Sequence, residues 1–268
     1  MKYSLLLLSF VTVFGLSGCE SKTHTGLTHQ NMNHETKEEI DSTQVKFSFN
    51  GIPESDKKVD LNIQVNSLKG KPVDQFEIEH EKLMHLIVVS KDLSFFDHLH
   101  PQYKGKGLFT VKPNFPNGGE YKLFTDFKPK DSDKNVKTKL VKVSGQQVKA
   151  VPLIPDKVLT KVIDGKEVTL KFDKLTTNDE VKMTFTFKDA KTKKDINDLQ
   201  PYLGAVGHVV AISGDTNTYL HVHPMNEKSS GPVAEFMTDF PKKGLYKIWG
   251  QFKQNENVFI VPFIVDVP

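Results

Sequence analysis

The sequence predicts an all-β protein: two tandem antiparallel β-sandwiches of immunoglobulin-like pattern, carried behind an apolar leader and a polar tether. Three observations lead there. Apolar and polar residues alternate with a period of two in short runs, as half-buried strands require. Turn-forming residues separate the runs, and no stretch shows a convincing amphipathic helical period. The whole order of runs then occurs twice, for which duplication is the simplest account.

The leader comes first. Lys2 precedes the apolar run LLLLSFVTVFGL, which is too short for a comfortable membrane-spanning helix and ends in Leu16-Ser17-Gly18-Cys19. This quartet resembles the lipobox of bacterial lipoproteins, which are cleaved before a cysteine that receives lipid. Residues 1–18 are therefore expected to be a signal peptide, with Cys19 as the lipidated residue and a membrane anchor as the result. Cys19 is the single cysteine of the chain, so no intrachain disulfide can form. Residues 19–44 are polar and read as a flexible tether. It contains His24, His29, Met32 and His34, a composition that suits weak capture of soft or borderline metal ions and equally suits a solvated linker.

The first sandwich is expected over residues 45–148. VKFSFNG and VDLNIQV alternate as strands, and a histidine-bearing hairpin follows. GLFTVKPNF, GGEYKLFTDF and KNVKTKLVKVSG come next, giving about seven short strands. Lys149 to Pro155 reads as a linker, because its two prolines interrupt any strand ladder. The second sandwich, over 156–268, repeats the order. KEVTLKFD and VKMTFTFKD match the first two strands, a second hairpin follows, and AEFMTDFPKKGLYKIWGQF aligns with GLFTVKPNFPNGGEYKLFTDF. NVFIVPFIVDV closes it.

The two hairpins carry the chemistry. HLIVVSKDLSFFDHLHP runs from His85 to Pro101 and HVVAISGDTNTYLHVHP from His208 to Pro224. Each opens on a histidine and closes on His-x-His-Pro at the same spacing. Two-residue turns centred on Lys91-Asp92 and Gly214-Asp215 would set His85 opposite His98 and His208 opposite His221. Opposed residues share a face, as does the residue two further along. His85, His98 and His100 thus converge, and so do His208, His221 and His223. Ile87, Val89 and Phe96 lie on the first histidine face, with Val210, Ile212 and Tyr219 on the second. Leu86, Val88 and Leu99 lie behind the first, and Val209, Ala211, Leu220 and Val222 behind the second. Apolar residues on both faces imply cover by a preceding loop or by the other domain.

Clustered imidazoles at a repeated spacing point to metal binding. Three nitrogen donors suit zinc, copper or nickel. A blue-copper site is excluded, because Cys19, its only thiolate candidate, is taken by the anchor. Met84 beside His85 and Met225 after His223 offer thioethers that would favour copper, although each also fits as packing. Copper is the expected ion and zinc the alternative, with Met225 a further candidate ligand. Asp97 and Asp126 could orient imidazoles in the first domain; their counterparts Leu220 and Gln251 would not repeat that role. His80 falls outside tether and triples alike.

Other classes fare worse. All 36 basic residues are lysine and the net charge is +3, so the arginine fork of nucleic-acid recognition is missing. Nothing offers a partnered general base for an enzyme: Glu79 and Glu81 are the local candidates, and their counterparts are Tyr202 and Gly204. The two hairpins, with FTVKPNFPNGGEYKLFTDF and PYLGAVGHVV, resemble the secreted immunoglobulin-like bacterial domains of the YtkA-like and FixH-like families. That resemblance covers most of residues 45–268 and implies an extracytoplasmic β-sandwich associated with copper handling and without catalytic activity. The expectation is a lipid-anchored extracytoplasmic protein that binds a metal ion for buffering, delivery or resistance. A metal-free assembly or adhesion module and a metal-dependent enzyme are the alternatives, and no protein partner or substrate is named by the sequence.

Overall fold

The structure, a computed structural model, describes residues 43–268. The expectations for the leader, Cys19 and the histidines and methionine of the tether fall on residues outside the described ones. Everything described is strand, turn or irregular chain, without helix. The first half contains β1 (Thr43–Phe49), β2 (Leu61–Ser67), β3 (Phe76–Glu77), β4 (Met84–Ser90), β5 (Phe96–Leu99), β6 (Gln102–Tyr103), β7 (Leu108–Val111), β8 (Gly119–Pro129) and β9 (Asn135–Val143). The second contains β10 (Thr160–Ile163), β11 (Lys166–Phe172), β12 (Glu180–Asp189), β13 (His208–Ser213), β14 (Tyr219–Pro224), β15 (Val233–Asp239), β16 (Gly244–Gln254) and β17 (Asn257–Val267).

In the first half a sheet ordered β1-β2-β7-β6 packs on one formed by β3, β8, β4 and β5, with β9 also paired to β8. The second half repeats this as β10-β11-β12-β15 and β14-β13-β16-β17, and a short β14–β15 pairing joins the two sheets. Each sandwich thus has its own core. Leu61, Ile63, Leu86, Val88, Phe109 and Leu123 fill the first; Phe185, Phe187, Val209, Phe236, Phe252 and Phe263 fill the second. Tyr121 donates its hydroxyl to the Asn117 carbonyl at 2.8 Å and Tyr246 to that of Lys242 at 3.0 Å. This is the tyrosine corner of immunoglobulin-like sandwiches, present in both copies. The all-β, duplicated fold read from the sequence is the fold observed. Small differences lie at its margins. The two-residue β3 and β6, and the added edge strand β10, carry too little alternation to be read in advance. β1 already begins at Thr43, whose side chain bonds Asn135 at 2.9 Å.

The hairpin turns differ from the expected ones. In both copies the connection spans five residue positions, Lys91–Phe95 and Gly214–Thr218, instead of two. Asp92 accepts bonds from Ser90 and Ser94, Asp215 accepts from Ser213 and Asn217, and Leu93 and Thr216 take left-handed conformations. Side-chain acceptors of this kind close a turn without glycine at the left-handed position. The register moves accordingly: Ile87 pairs with His98, and Val210 with His221. A shift by two residues leaves every side chain on its expected face, because strands alternate with period two.

The cover over those faces is the other half of the chain. Ile87, Val89, Leu93, Phe124, Val210, Ile212 and Trp249 form a third buried cluster, joined by Phe96, Leu153 and Tyr219. β8 and β16 meet the opposite hairpin with alternate side chains. Lys122 donates to the Thr216 carbonyl at 2.6 Å, and its counterpart Lys247 donates to the Leu93 carbonyl at 2.8 Å. Phe124 stacks on Tyr219 at 5.2 Å, and Trp249 stacks on Phe96 at 4.7 Å. The halves therefore dock with pseudo-twofold symmetry, each contact made and then returned. The linker reinforces the arrangement: the Val151 amide donates to Asp92, and Leu153 enters the interface.

A histidine cluster between the two sandwiches

One step further along β8 and β16, the interface turns from apolar to polar and the histidines meet. His85 and its counterpart His208 stack across the pseudo-axis, 5.3 Å apart and 19° from parallel. His98 lies 4.7 Å from His208, and His221 lies 4.3 Å from it. His85 and His208 are buried, whereas His223 is exposed, so the cluster has a dry floor and a wet rim. The two sequence triples form one continuous cluster between the domains.

The sequence reading missed His80. It sits in the tight turn that closes between Glu79 and Lys82, with its ring 5.1 Å from those of both His221 and His223. Among the described residues, two groups have donor atoms within 4.8 Å of one another: His85, His98 and His100, and His80, His221 and His223. The first matches a sequence triple. In the second, His80 takes the place expected for His208. No repeat signal marks His80, because its counterpart in the matching turn is Leu203, and only its position five residues before His85 hinted at it.

The partners of the imidazoles are crossed between halves, which corrects the expectation for Asp126. Buried Asp126 accepts from His221 Nδ1 at 2.7 Å and from Tyr219 at 3.2 Å, both in the second half. Its counterpart Gln251, expected to have no such role, lies with Oε1 3.1 Å from His98 Nδ1 in the first half. Alignment within one domain could not reveal this, because each residue serves the opposite domain. Asp97 alternates with His98 along β5 and so falls on its other face. Met84 is packed in the first core, behind His85. Met225 is 54% exposed just past β14. Glu79 and Glu81 are not placed as free bases: Glu79 pairs with Lys134 at 3.2 Å, and Glu81 packs beside Gly204.

Tautomers follow from these contacts. Lys134 also stands 3.1 Å from His221 Nδ1 and 3.1 Å from Asp126. The shorter contact to a carboxylate requires the proton on Nδ1, so Lys134 acts as counter-ion to Asp126 and Glu79. His221 Nε2 then carries a lone pair, and that atom is buried without a hydrogen-bond partner. Nε2 of His100 and of His208 is likewise buried without a hydrogen-bond partner. Around His85 the hydrogen bonds conflict. Its Nε2 faces the Glu79 carbonyl at 3.0 Å and must donate, while His98 Nδ1 donates to Gln251. This leaves His85 Nδ1 and His98 Nε2 with lone pairs facing each other across 3.0 Å. A cation between them resolves the conflict; so does rotation of the Gln251 amide.

A proton does not serve as that cation near neutral pH. Burial lowers the pKa of every histidine in the cluster, well below its ordinary value for His98, His208 and His221 and to about 4 for His100. His80, His85 and His223 are lowered by burial as well. The imidazoles are thus held neutral, the form that binds metal. Buried polar nitrogens without partners are uncommon, and a bound ion is one of the accepted reasons for them.

A family model described as Domain of unknown function (DUF8832) matches residues 38–145 and again residues 160–268. No curated protein matches the chain in sequence. Among solved structures, the Escherichia coli adhesin FdeC is similar at 15% identity and TM-score 0.29, over 85% of this chain and 65% of its own. Invasin, a bacterial integrin-binding protein, is similar at 9% and 0.25, over 82% of this chain and 39% of its own. A two-domain fibronectin type III segment of chicken tenascin is similar at 11% and 0.25, over 84% and 99%. The chain spans less than two thirds of the adhesin and invasin chains.

Proposed function

We propose that this chain, which belongs to the Domain of unknown function (DUF8832) family in both of its halves, binds copper in the histidine cluster between its sandwiches. The reading places it as a lipid-anchored protein on the extracytoplasmic face of the membrane, where it buffers, delivers or sequesters the ion. The observation that carries the metal reading is the pair of gathered imidazole groups, in which His100 and His221 each present a buried, unpartnered Nε2. Copper is favoured over zinc because the donors are nitrogens, and divalent copper lies above zinc in the general order of affinities. The anchor rests on the lipobox-like Leu16–Cys19 stretch. The kinship to YtkA-like and FixH-like domains belongs to this proposal too, on the strength of HLHP and HVHP.

Chain purified without an affinity tag and passed through gel filtration should retain about two copper ions, in line with the two donor groups. His98→Ala with His100→Ala should remove one ion, and His221→Ala with His223→Ala the other. Unchanged metal content in both folded double variants would refute the reading. Cys19→Ala should release the protein from the membrane fraction; retention with the same lipid label would overturn the anchor.

A second reading has its own observation. His85 with His98, and His221 with Asp126, pair without any ion, and the halves are already fastened by aromatic and lysine contacts. In that case the cluster is packing within a metal-free module for assembly or adhesion. Metal-free chain with unaltered stability and no copper uptake would select it.

A further inference from the structure

We infer that the second ion is held across the interface, by His80 of the first half with His221 and His223 of the second, and not by the repeat-matched set of His208, His221 and His223. The inference rests on the metal-binding reading above and assigns the ligands of one of its sites. The donor atoms of His80, His221 and His223 gather within 4.8 Å. The His80 ring stacks on that of His223 at 27°. His208 sits deeper, packed between His85, His98 and His221. His223 lies at the exposed rim, so a divalent, imidazole-selective ion reaches this group directly from solvent.

The turn is what presents His80. The Glu79–Lys82 bridge is matched by the Tyr202–Ala205 bridge in the second half. His80 adopts φ 47° and Leu203 φ 54°, so the two turns have the same shape and differ in the side chain they offer. Neither half then holds the second site alone: the first supplies His80 and the second supplies the other two. An ion bound there ties the sandwiches together, and ligand bound only to the docked form stabilises that form.

His80→Leu tests this in the full chain. It installs the residue that the matching turn already accommodates, so folding should be preserved. The expected result is a fall from two copper ions to one, with a smaller copper-induced rise in Tm. His80→Asp, which keeps a donor atom, should retain the second ion with weaker affinity. Two ions retained by His80→Leu at unchanged affinity would overturn the inference and leave metal binding standing. No metal in the parent chain would instead overturn the reading on which it rests.

Discussion

Asp126→Asn isolates the crossed wiring of the cluster. In a background of His98→Ala and His100→Ala, the group containing His221 is the one of the two donor groups among the described residues that stays intact. Asp126 receives the His221 Nδ1 proton at 2.7 Å in a buried position. A hydrogen bond to a charged acceptor contributes about 1.5–3 kcal/mol and a neutral one about 0.5–1.5. Asn keeps the shape and an acceptor but removes the charge, which leaves a deficit of about 1–2 kcal/mol. At about 1.4 kcal/mol per factor of ten this is roughly a 5–30-fold loss of affinity, comparable with the usual effect of removing the residue that orients a metal-bound histidine. Titration with Cu(II) against a competing chelator reads it directly. Equal affinity with and without Asp126→Asn would refute the argument that a first-half carboxylate sets the tautomer of a second-half ligand. Gln251→Leu, in a His80→Ala and His223→Ala background, is the mirror experiment. Its effect on the His85, His98 and His100 group should be smaller, because an uncharged amide is lost.

Three further outcomes follow from the same geometry. Trp249→Ala removes a ring that is 4% exposed and stacked on Phe96, and should destabilise the protein by about 3–5 kcal/mol in urea titration; a loss below about 1 kcal/mol would mean that the interface contributes little. Asp92 is pushed up by burial, yet bonds from Ser90, the Val151 amide and Ser94 hold it at about 2. Its folded value lies below the ordinary 3.8, so its contribution is present above that pH and disappears as the pH falls toward 2. Asp92→Asn should flatten this part of the stability profile, and an unchanged slope would contradict the assignment. Met225→Leu should weaken Cu(I) binding while sparing Cu(II) if the thioether swings in from its exposed position; equal Cu(I) affinity would leave it outside the site.

Much of this was legible in the sequence because strands keep strict parity. Alternation alone places Ile87, Val89 and Phe96 on the histidine face, and they occupy it even though the hairpin register is two residues away from that expected. An odd shift would have inverted the faces. The turns were misread because Ser90-Lys91-Asp92 and Ser213-Gly214-Asp215 close through side-chain acceptors, which resemble shorter Asp-centred turns in sequence. His80 was illegible for another reason. Repeats draw attention to matched residues, and the chemistry of His80 depends on being unmatched.

The crossing itself could not be read from either copy, since it belongs to the docking of the two. When like surfaces meet about a twofold axis, residues near the axis meet their own counterparts and those off it meet a different residue in exchange. His85 on His208 is the first case; Phe96 with Trp249, Lys247 with Leu93 and His98 with Gln251 are the second. A duplicated chain is free to let the exchanged pairs diverge, as an intact homodimer is not. Asp126 against Gln251 and His80 against Leu203 are such divergences, and both lie at the cluster. These two differences fall where a symmetric protein would have two equal metal groups. This chain offers an inner group built within one sandwich and an outer one, charged at Asp126 and Lys134, built from both.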